Sequence, residues 1–544
     1  MLSVVFVAAF TAVMAGVGWN AVHSLDRQGR LLAGERVIAS FAIGCLAAYF
    51  LVFAVASVRL DAVAMWGVLS ALALASLPGW ARMPVAGFVR SAAREVSAAR
   101  GDPVAAVLWL AVIGVAASSL VQGLAPPNDY DALMYHLVNP QYDLELGRTQ
   151  IPWERSEPVA LMPALGGNLT RIALATMNDG VAQMLHDLFG LVAAAASACL
   201  THRLGFGRRV ILASALFFLV IQVVVWQMAT VETDVPVAAY GVMALLVYLA
   251  WREDGGTRLS ILFGLMVGGA IVVKYHGFAI ALSLAPLILY DLFIRRRPWT
   301  VVAGPAVSFL VIVPHLVRNA VHTANPVYPL FTNLFNPGTR DYLGDVHLQY
   351  GTGRGLLDVL TAPWNMFVVP MHHFDGMIFG APFVLALAPL ILLAPRRLVP
   401  WLPILGFAAV YYMIWFFLLS QQVRFLLPIM PILATAAAAG AAVAWQATGE
   451  SRTLRAGLVA VVAVLAVNQS MFVGIYAALR LPVVFGLMDV ATYLRTPNLT
   501  TSFYDSCRYI RDNLEPGERY YANIIFPSYY CPQQDGTKNP NFCD

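Results

Sequence analysis

Eight residues, Asp129 to His136, hold two aspartates, two tyrosines and a histidine, and they follow directly on a long apolar run. A carboxylate can take a proton from a hydroxyl or hold a divalent ion, and an imidazole titrates near neutral pH. The same kinds of side chain recur wherever later apolar runs end. Glu232 and Asp234 lie in ATVETDVP, and Lys274, Tyr275 and His276 in VKYHG. Arg318, Asn319 and His322 follow in PHLVRNAVHTANPVYP, then His372, His373 and Asp375 in MHHFDG, and Gln421, Gln422 and Arg424 in QQVRFLLP. Arg and Lys neutralise phosphate, Arg through two parallel hydrogen bonds. Carboxylates and cations gathered at one membrane surface suit group transfer from a phosphate-bearing lipid.

The elements that must position these residues follow from composition. The chain has 544 residues, is 59% hydrophobic and 12% charged, and has a mean hydropathy of +0.70. Soluble domains carry about 25% charged residues, so this is a membrane protein. Apolar stretches of about twenty residues recur, each long enough to cross a hydrocarbon core of roughly 30 Å as a helix, and about fourteen spans are expected. The run MLSVVFVAAFTAVMAGVGW lacks a basic flank and a small-residue cleavage pattern, so it reads as a retained first span. The net charge of +4 comes from arginines scattered between spans, which excludes a nucleic-acid partner. Cys45 and Cys199 sit in apolar runs, whereas Cys507, Cys531 and Cys543 lie in a polar tail where an oxidising compartment would permit one disulfide.

Orientation follows from the basic loops. Arginines occur at 26–36, 82–100, 202–209, 251–258, 295–299, 395–397 and 451–455. Two spans separate each loop from the next, so all share a face, which the positive-inside rule makes cytoplasmic. The chain then divides into N-terminal spans at 1–123, a first large outer loop at 124–178 and central spans at 179–318. A second outer loop at 319–375, C-terminal spans at 376–479 and a short outer tail at 480–544 complete it. All the ionisable residues named above fall near the outer ends of spans. An ionisable group costs on the order of 2.5–3.5 kcal/mol at mid-membrane and less near the interface, so many at one level suggest a shared site.

Plainer roles stay open for single residues. Asn128 or Asp129 can cap a helix beginning at Ala132. Asp129 and Asp131, two apart, cannot share one helix face, so one can act on a substrate while the other caps or binds metal. His136 suits packing and hydrogen bonding, and Arg318 and Arg424 can anchor span ends at headgroups. The adjacent histidines 372 and 373 point apart on a helix and lack metal-site spacing. Asn168 and Asn498 match the glycosylation acceptor pattern, as chance would allow. Neither a P-loop, a dinucleotide fingerprint nor a GxSxG elbow is present.

The segment YDALMYHLVNPQYDLELGR resembles the first outer loop of GT-C membrane glycosyltransferases, bacterial ones related to the protein O-mannosyltransferase and aminoarabinose transferase group. In that family an acidic DxD or DE motif follows a span, with a tyrosine one turn later; here Asp129-Tyr130-Asp131 and Tyr135 match it. VETDVPVAAY is similar to the second acidic position, VKYHGFAIAL to a lysine-aromatic-glycine segment, VRNAVHTANPVYPLF to an Arg-Asn and Asn-Pro loop, and VRFLLPIMPILA to a late Arg-Phe span. These motifs are scattered over residues 105–445 in the family's order. Two features depart from the pattern: Ala132 stands where many relatives have Glu, and the tail after residue 480 is short.

The resemblance implies an all-α polytopic bundle of GT-C type, with interfacial helices in the first outer loop, which Pro140, Pro152, Pro158 and Pro163 break into short pieces, and a small outer tail. It implies a bacterial inner-membrane enzyme whose site faces the periplasm, moving a sugar from a polyprenyl-phosphate donor to a glycan, lipid or protein acceptor. In this reading Asp131 or Asp129 is the base. Glu232, Asp234 and His136 orient the acceptor or, with Asp129, hold a divalent ion (Mg or Mn). Lys274, Arg318 and Arg424 bind the donor phosphate, and Tyr135, Tyr275, His276, Asn319, His372, His373 and Gln422 line the site. Two other classes would also be polytopic. A polysaccharide ligase or polymerase would use polyprenyl-diphosphate glycans and an arginine-rich outer loop. A transporter would place its charges near mid-membrane within repeated, interrupted spans.

Overall fold

The computed structural model describes residues 2–149, 162–337, 350–368, 373–374, 395–496, 503–515, 518, 520, 522–523, 528–532 and 538–539. Apolar runs in lipid must satisfy every backbone hydrogen bond internally, and the chain is accordingly helical almost throughout. Up to the acidic motif run α1 (Leu2–Leu25), α2 (Ala33–Ala56), α3 (Ala62–Arg82), α4 (Val85–Arg100) and α5 (Pro103–Gln122). After it come α6 (Val138–Leu146), α7 (Leu165–Thr176), α8 (Asp179–Arg203), α9 (Arg208–Leu219), α10 (Gln222–Met228), α11 (Asp234–Asp254), α12 (Thr257–Val273), α13 (Gly277–Leu289) and α14 (Ala303–Thr323). Later helices include Leu356–Val368, Leu402–Leu418, Met430–Ala447 and Arg452–Val484.

Among the described residues 11 helical stretches are long and apolar enough to cross a membrane, or 12 if α9 and α10, bent by 67°, count as one span. The apolar sequence from 377 to 394, one of the expected spans, lies outside the described residues. Burial sorts the spans by place. Within their apolar windows 94% of α11 is buried but only 6% of α5, so α11 is the hub and α5 faces lipid. Helices approach closely where side chains are small. A Cβ on Gly18 of α1 would stand 1.8 Å from the Ser40 carbonyl oxygen of α2, so this contact requires glycine.

Five of the seven basic connections, those from residue 26 to residue 299, share a face, because they or the residues beside them touch one another. Arg203 pairs with Glu35 and with Glu253, each at 2.7 Å. Arg208 meets Glu95 and Arg209 meets Asp102, both at 2.8 Å, while Thr300 donates to the Gly255 carbonyl at 2.6 Å. The 82–100 connection is itself the amphipathic helix α4, with Arg90 and Arg94 exposed and Phe88 packed edge-on against Trp19 at 5.7 Å.

At the opposite end, the first loop holds a widened π-turn at Ala132–His136 and helices α6 and α7. Pro152 and Pro158 lie outside the described residues. The tail contributes helices Val490–Arg495 and Tyr504–Asn513, a two-residue parallel pairing of Ala522–Asn523 with Lys538–Asn539, and a disulfide between Cys507 and Cys531. Cys543 lies outside the described residues.

Candidate active site

Four chain breaks converge at this end. Asp129 and Asp131 precede the π-turn, and the Asp129 carboxylate accepts from the Asp131 amide at 3.2 Å. Glu232 and Asp234 lie in the turn between α10 and α11, and Lys274 ends α12 in extended backbone. The following Gly277 is required: a Cβ there would stand 2.3 Å from the Ala270 carbonyl carbon, so only glycine lets the chain reverse this tightly. Arg424 sits on the 3-10 turn Val423–Ile429, whose Pro428 cannot donate to an α-helical ladder. That turn is pinned on both sides: Trp415 Nε1 donates to the Gln422 carbonyl and Tyr411 Oη to the Phe425 carbonyl, each at 2.9 Å.

Arg424 is the centre of charge. Its Nη1 lies 2.5 Å from Asp131 Oδ2 and 3.8 Å from Glu232 Oε1, and its Nε 4.0 Å from Asp234 Oδ2. Lys274 Nζ pairs with Asp234 Oδ1 at 2.9 Å. Phe425 presents its ring to both cations, 5.4 Å from the Arg424 guanidinium and 4.6 Å from Lys274 Nζ, and the His276 ring lies 4.2 Å from it. His136 Nε2 is 3.6 Å from Glu232 Oε2, with the Tyr135 ring 4.1 Å from its imidazole.

The charges respond to this setting. Burial works to raise the Asp131 pKa, but the charges of Arg424 and Lys274 overcome it and hold the carboxyl below its ordinary range. Glu232 goes the other way: burial and the charges of Asp131 and Asp129 push it well up. Burial presses His136 down to about 3, against the pull of Asp131, so its imidazole is neutral. The setting thus drives the two carboxyls apart, Asp131 toward its ionised form and Glu232 toward its protonated one, an arrangement suited to proton transfer.

The remaining expected residues form a second group. Arg318 lines a cavity of about 440 Å³ with Arg148, Arg171, His315, His322 and Tyr49. Tyr275 Oη and Asn319 Nδ2 lie 3.3 and 3.2 Å from His315 Nε2 near its wall, and both donate to the Tyr328 carbonyl at 3.2 Å. A smaller cavity of about 60 Å³ borders Tyr135, His136 and Lys274, and Arg171 and Ala164 line both spaces. The structure therefore divides the expected phosphate-binding cations: Lys274 and Arg424 stand among the acids, Arg318 in the neighbouring basic cavity. The exposed His373 gives its carbonyl to the Gly351 amide at 2.5 Å, and His372 lies outside the described residues.

Several contributors had no mark in the sequence reading. Trp226 Nε1 donates to Asp129 Oδ2 at 2.7 Å, reaching it only because α10 turns away from α9. On α8, Gln183 donates to the Gly123 and Ala125 carbonyls at 3.0 and 2.7 Å, and His186 Nδ1 meets the Glu232 carbonyl at 2.8 Å. One helix face thereby fixes the approaches to both acidic turns. Buried polar atoms of Gln227, Thr230, Thr233 and Glu232 meet no hydrogen-bond partner among the described residues. Such groups in one turn are characteristic of a binding site, and the polar string QMATVETD between apolar runs was their available signal. No group of three or more His, Cys, Asp or Glu side chains is arranged to hold a metal among the described residues.

Residues 171–325 match the family model of dolichyl-phosphate-mannose-protein mannosyltransferase. A comparison with curated proteins returns no match. Among solved structures the chain is similar to ArnT from Cupriavidus metallidurans in the apo state, at 17% identity and a TM-score of 0.48, over 80% of this chain and 87% of that one. It is also similar to the same protein bound to undecaprenyl phosphate, at 16% identity and a TM-score of 0.46, over 77% and 83%. The Archaeoglobus fulgidus oligosaccharyltransferase in the apo form follows at 15% and 0.48, over 80% of this chain and 60% of that one. The family segment includes Arg171, Glu232, Asp234, Lys274 and Arg318, whereas Asp129, Asp131, His136 and Arg424 lie outside it. The chain is thus a polytopic, all-helical membrane protein whose residues 171–325 match the model of a lipid-phosphate-sugar mannosyltransferase family.

Proposed function

We propose that the protein transfers a hexose or pentose from a polyprenyl-phosphate donor to an acceptor hydroxyl by a single inverting displacement. The observation that carries this reading is the Asp131–Arg424 pair at 2.5 Å at the same end of the bundle as a basic cavity of about 440 Å³, which shares Arg171 and Ala164 with the small cavity beside His136 and Lys274. The cavity is bordered by Val317 and Val321 of α14, both exposed, so an anionic headgroup can enter it with its chain in the lipid alongside. The family model matched over residues 171–325 is named for a sugar on dolichyl phosphate, a donor of this class.

In this mechanism Asp131, held ionised by Arg424, accepts the proton of the acceptor hydroxyl. The acceptor oxygen attacks the anomeric carbon, the bond from that carbon to the phosphate oxygen breaks, and the configuration inverts. Charge then grows on the lipid phosphate, where Arg318 and Arg148 of the large cavity meet it, a form of stabilisation that commonly supplies a large share of a barrier's reduction. Glu232, protonated, can donate a hydrogen bond to the sugar or acceptor. A divalent ion, were it held by Asp129, Asp234 and an ionised Glu232, would supply charge to the phosphate in place of that hydrogen bond; every proton transfer above is made by the chain itself.

The site faces the periplasm in this reading, with the arginine-bearing loops in the cytoplasm. The test is transfer of radiolabelled sugar from synthetic donors to membrane acceptors. Transfer from polyprenyl-phosphate sugars supports the proposal, and transfer only from diphosphate-linked glycans would replace it by a ligase. The clustering of Arg148, Arg171 and Arg318 in one cavity is the feature that gives the ligase its standing.

A further inference from the structure

The tail is fastened to the acid-bearing turn rather than merely following the last span. In the π-turn the Leu137 amide donates to the Ala132 carbonyl at 2.9 Å, so the Leu133 carbonyl lacks the donor an α-helix would supply. The Tyr529 amide donates to that carbonyl instead, at 3.2 Å. Tyr529 Oη donates to Asp179 Oδ2 at 3.2 Å, at the start of α8, and Tyr530 Oη to the Pro127 carbonyl at 2.7 Å. The strap is therefore tied just before the acidic motif, within its turn and to the helix that positions Glu232.

Cys531, the next residue, is disulfide-bonded to Cys507 of the helix Tyr504–Asn513. Both cysteines are buried, and the Tyr504 and Tyr530 rings meet edge-on at 5.7 Å. Tyr493 and Leu494 close the underside against Ala125, forming a small core apart from the membrane bundle. We propose that the Ser528–Cys531 turn, latched by the Cys507–Cys531 disulfide, is a positioning strap that holds the Ala132–His136 turn, and with it the Asp131 carboxylate, in register with Arg424. Tyr529 and Tyr530 are positioning residues: they act on the backbone that carries Asp131. The proposal rests on the transferase reading for its kinetic consequence, though its structural consequence can be read without it.

The test compares wild type with the C507S/C531S double variant and with the Y529F/Y530F variant, which keeps the disulfide, all as folded full-length protein in detergent. A displacement of about 1 Å at a reacting group can cost on the order of a hundredfold in rate. The expected result for the double cysteine variant is a kcat lower by about ten- to a hundredfold with donor KM unchanged. The tyrosine variant moves the same way by less. Deuterium exchange should quicken over residues 129–137 in both variants while α11 and α12 exchange as before. Unchanged exchange over 129–137, or an unchanged kcat in a variant whose tail has loosened, overturns the strap. Should wild type transfer no sugar from any donor, the transferase reading fails, and the exchange comparison still decides the strap.

Discussion

Replacing Asp131 by Asn removes the proposed base while leaving its surroundings nearly intact, which makes it the sharpest test of the mechanism. Asn has the size of Asp, and its side-chain oxygen can still accept from Arg424 Nη1, now 2.5 Å from the carboxylate. Arg424 is not orphaned by the change, because Glu232 and Asp234 remain at 3.8 and 4.0 Å. The fold should therefore lose no more than about 1 kcal/mol, the usual scale of one hydrogen bond. Loss of a general base lowers a rate by about a hundred- to ten-thousandfold, or roughly 2.7–5.5 kcal/mol of barrier. Glu232 is a poor substitute, since in this variant burial and the Asp129 charge still push its pKa up. The assay is single-turnover sugar transfer at equal amounts of folded protein, with donor binding and melting temperature measured alongside. A rate within tenfold of wild type, with fold and donor binding intact, would refute Asp131 as base and move the role to Asp129.

Arg424→Gln should behave differently, because it leaves Asp131, Glu232 and Asp234 without their shared cation in a largely buried site. Breaking such a pair costs about 3–5 kcal/mol, visible as a lower melting temperature in detergent. Its pH–rate profile should also change, since burial then governs Asp131: the acid limb moves to higher pH than in wild type. For Arg318→Gln the expected change is a donor KM higher by about tenfold with little loss of kcat, the signature of uniform binding, read from initial rates against donor concentration. His136 supplies a stability test. Its pKa is about 3 when folded and 6.5 in the reference state, so the unfolded chain binds more protons between these values. Its stabilisation is complete above pH 6.5 and is lost as pH falls toward 3, and denaturation curves of H136N should show a shallower loss across that window.

The sequence carried the membrane architecture because lipid allows so few solutions: a long apolar run without charge must be a helix, and loop arginines fix which ends lie together. Contacts such as Arg203 with Glu35 and Glu253 join loops that the arginine pattern had assigned to one face. The same parity brought Asp131, Glu232, Asp234, Lys274 and Arg424 to the other end, and these five do meet. What parity cannot supply is distance within that end. Arg318 and Arg424 read as equivalent, both being basic residues at outer span ends, yet they serve different spaces. Trp226, Gln183 and His186 carried no signal, because an apolar helix with one polar side chain reads alike whether that residue faces packing or a catalytic turn. The tail's attachment was equally hidden, since it depends on a carbonyl released by a π-turn.

The division of the cations has a chemical consequence. Had Arg424 and Lys274 stood alone with a phosphate, their charge would have drawn the donor onto the residues that must stay open to the acceptor. Paired with Asp131 and Asp234, they keep a carboxylate ionised in a buried place, where burial alone would protonate it. Arg318 and Arg148 line a separate cavity, where the proposed mechanism places the lipid phosphate. Lys274 links the two, because it borders the small cavity by His136 while the next residue, Tyr275, reaches His315 in the large one. A leaving phosphate and an attacking hydroxyl must lie on opposite sides of the anomeric carbon in an inverting displacement. A base with its own cation, and a phosphate site with others beyond the small cavity that His136 and Lys274 border, is a layout that permits that geometry.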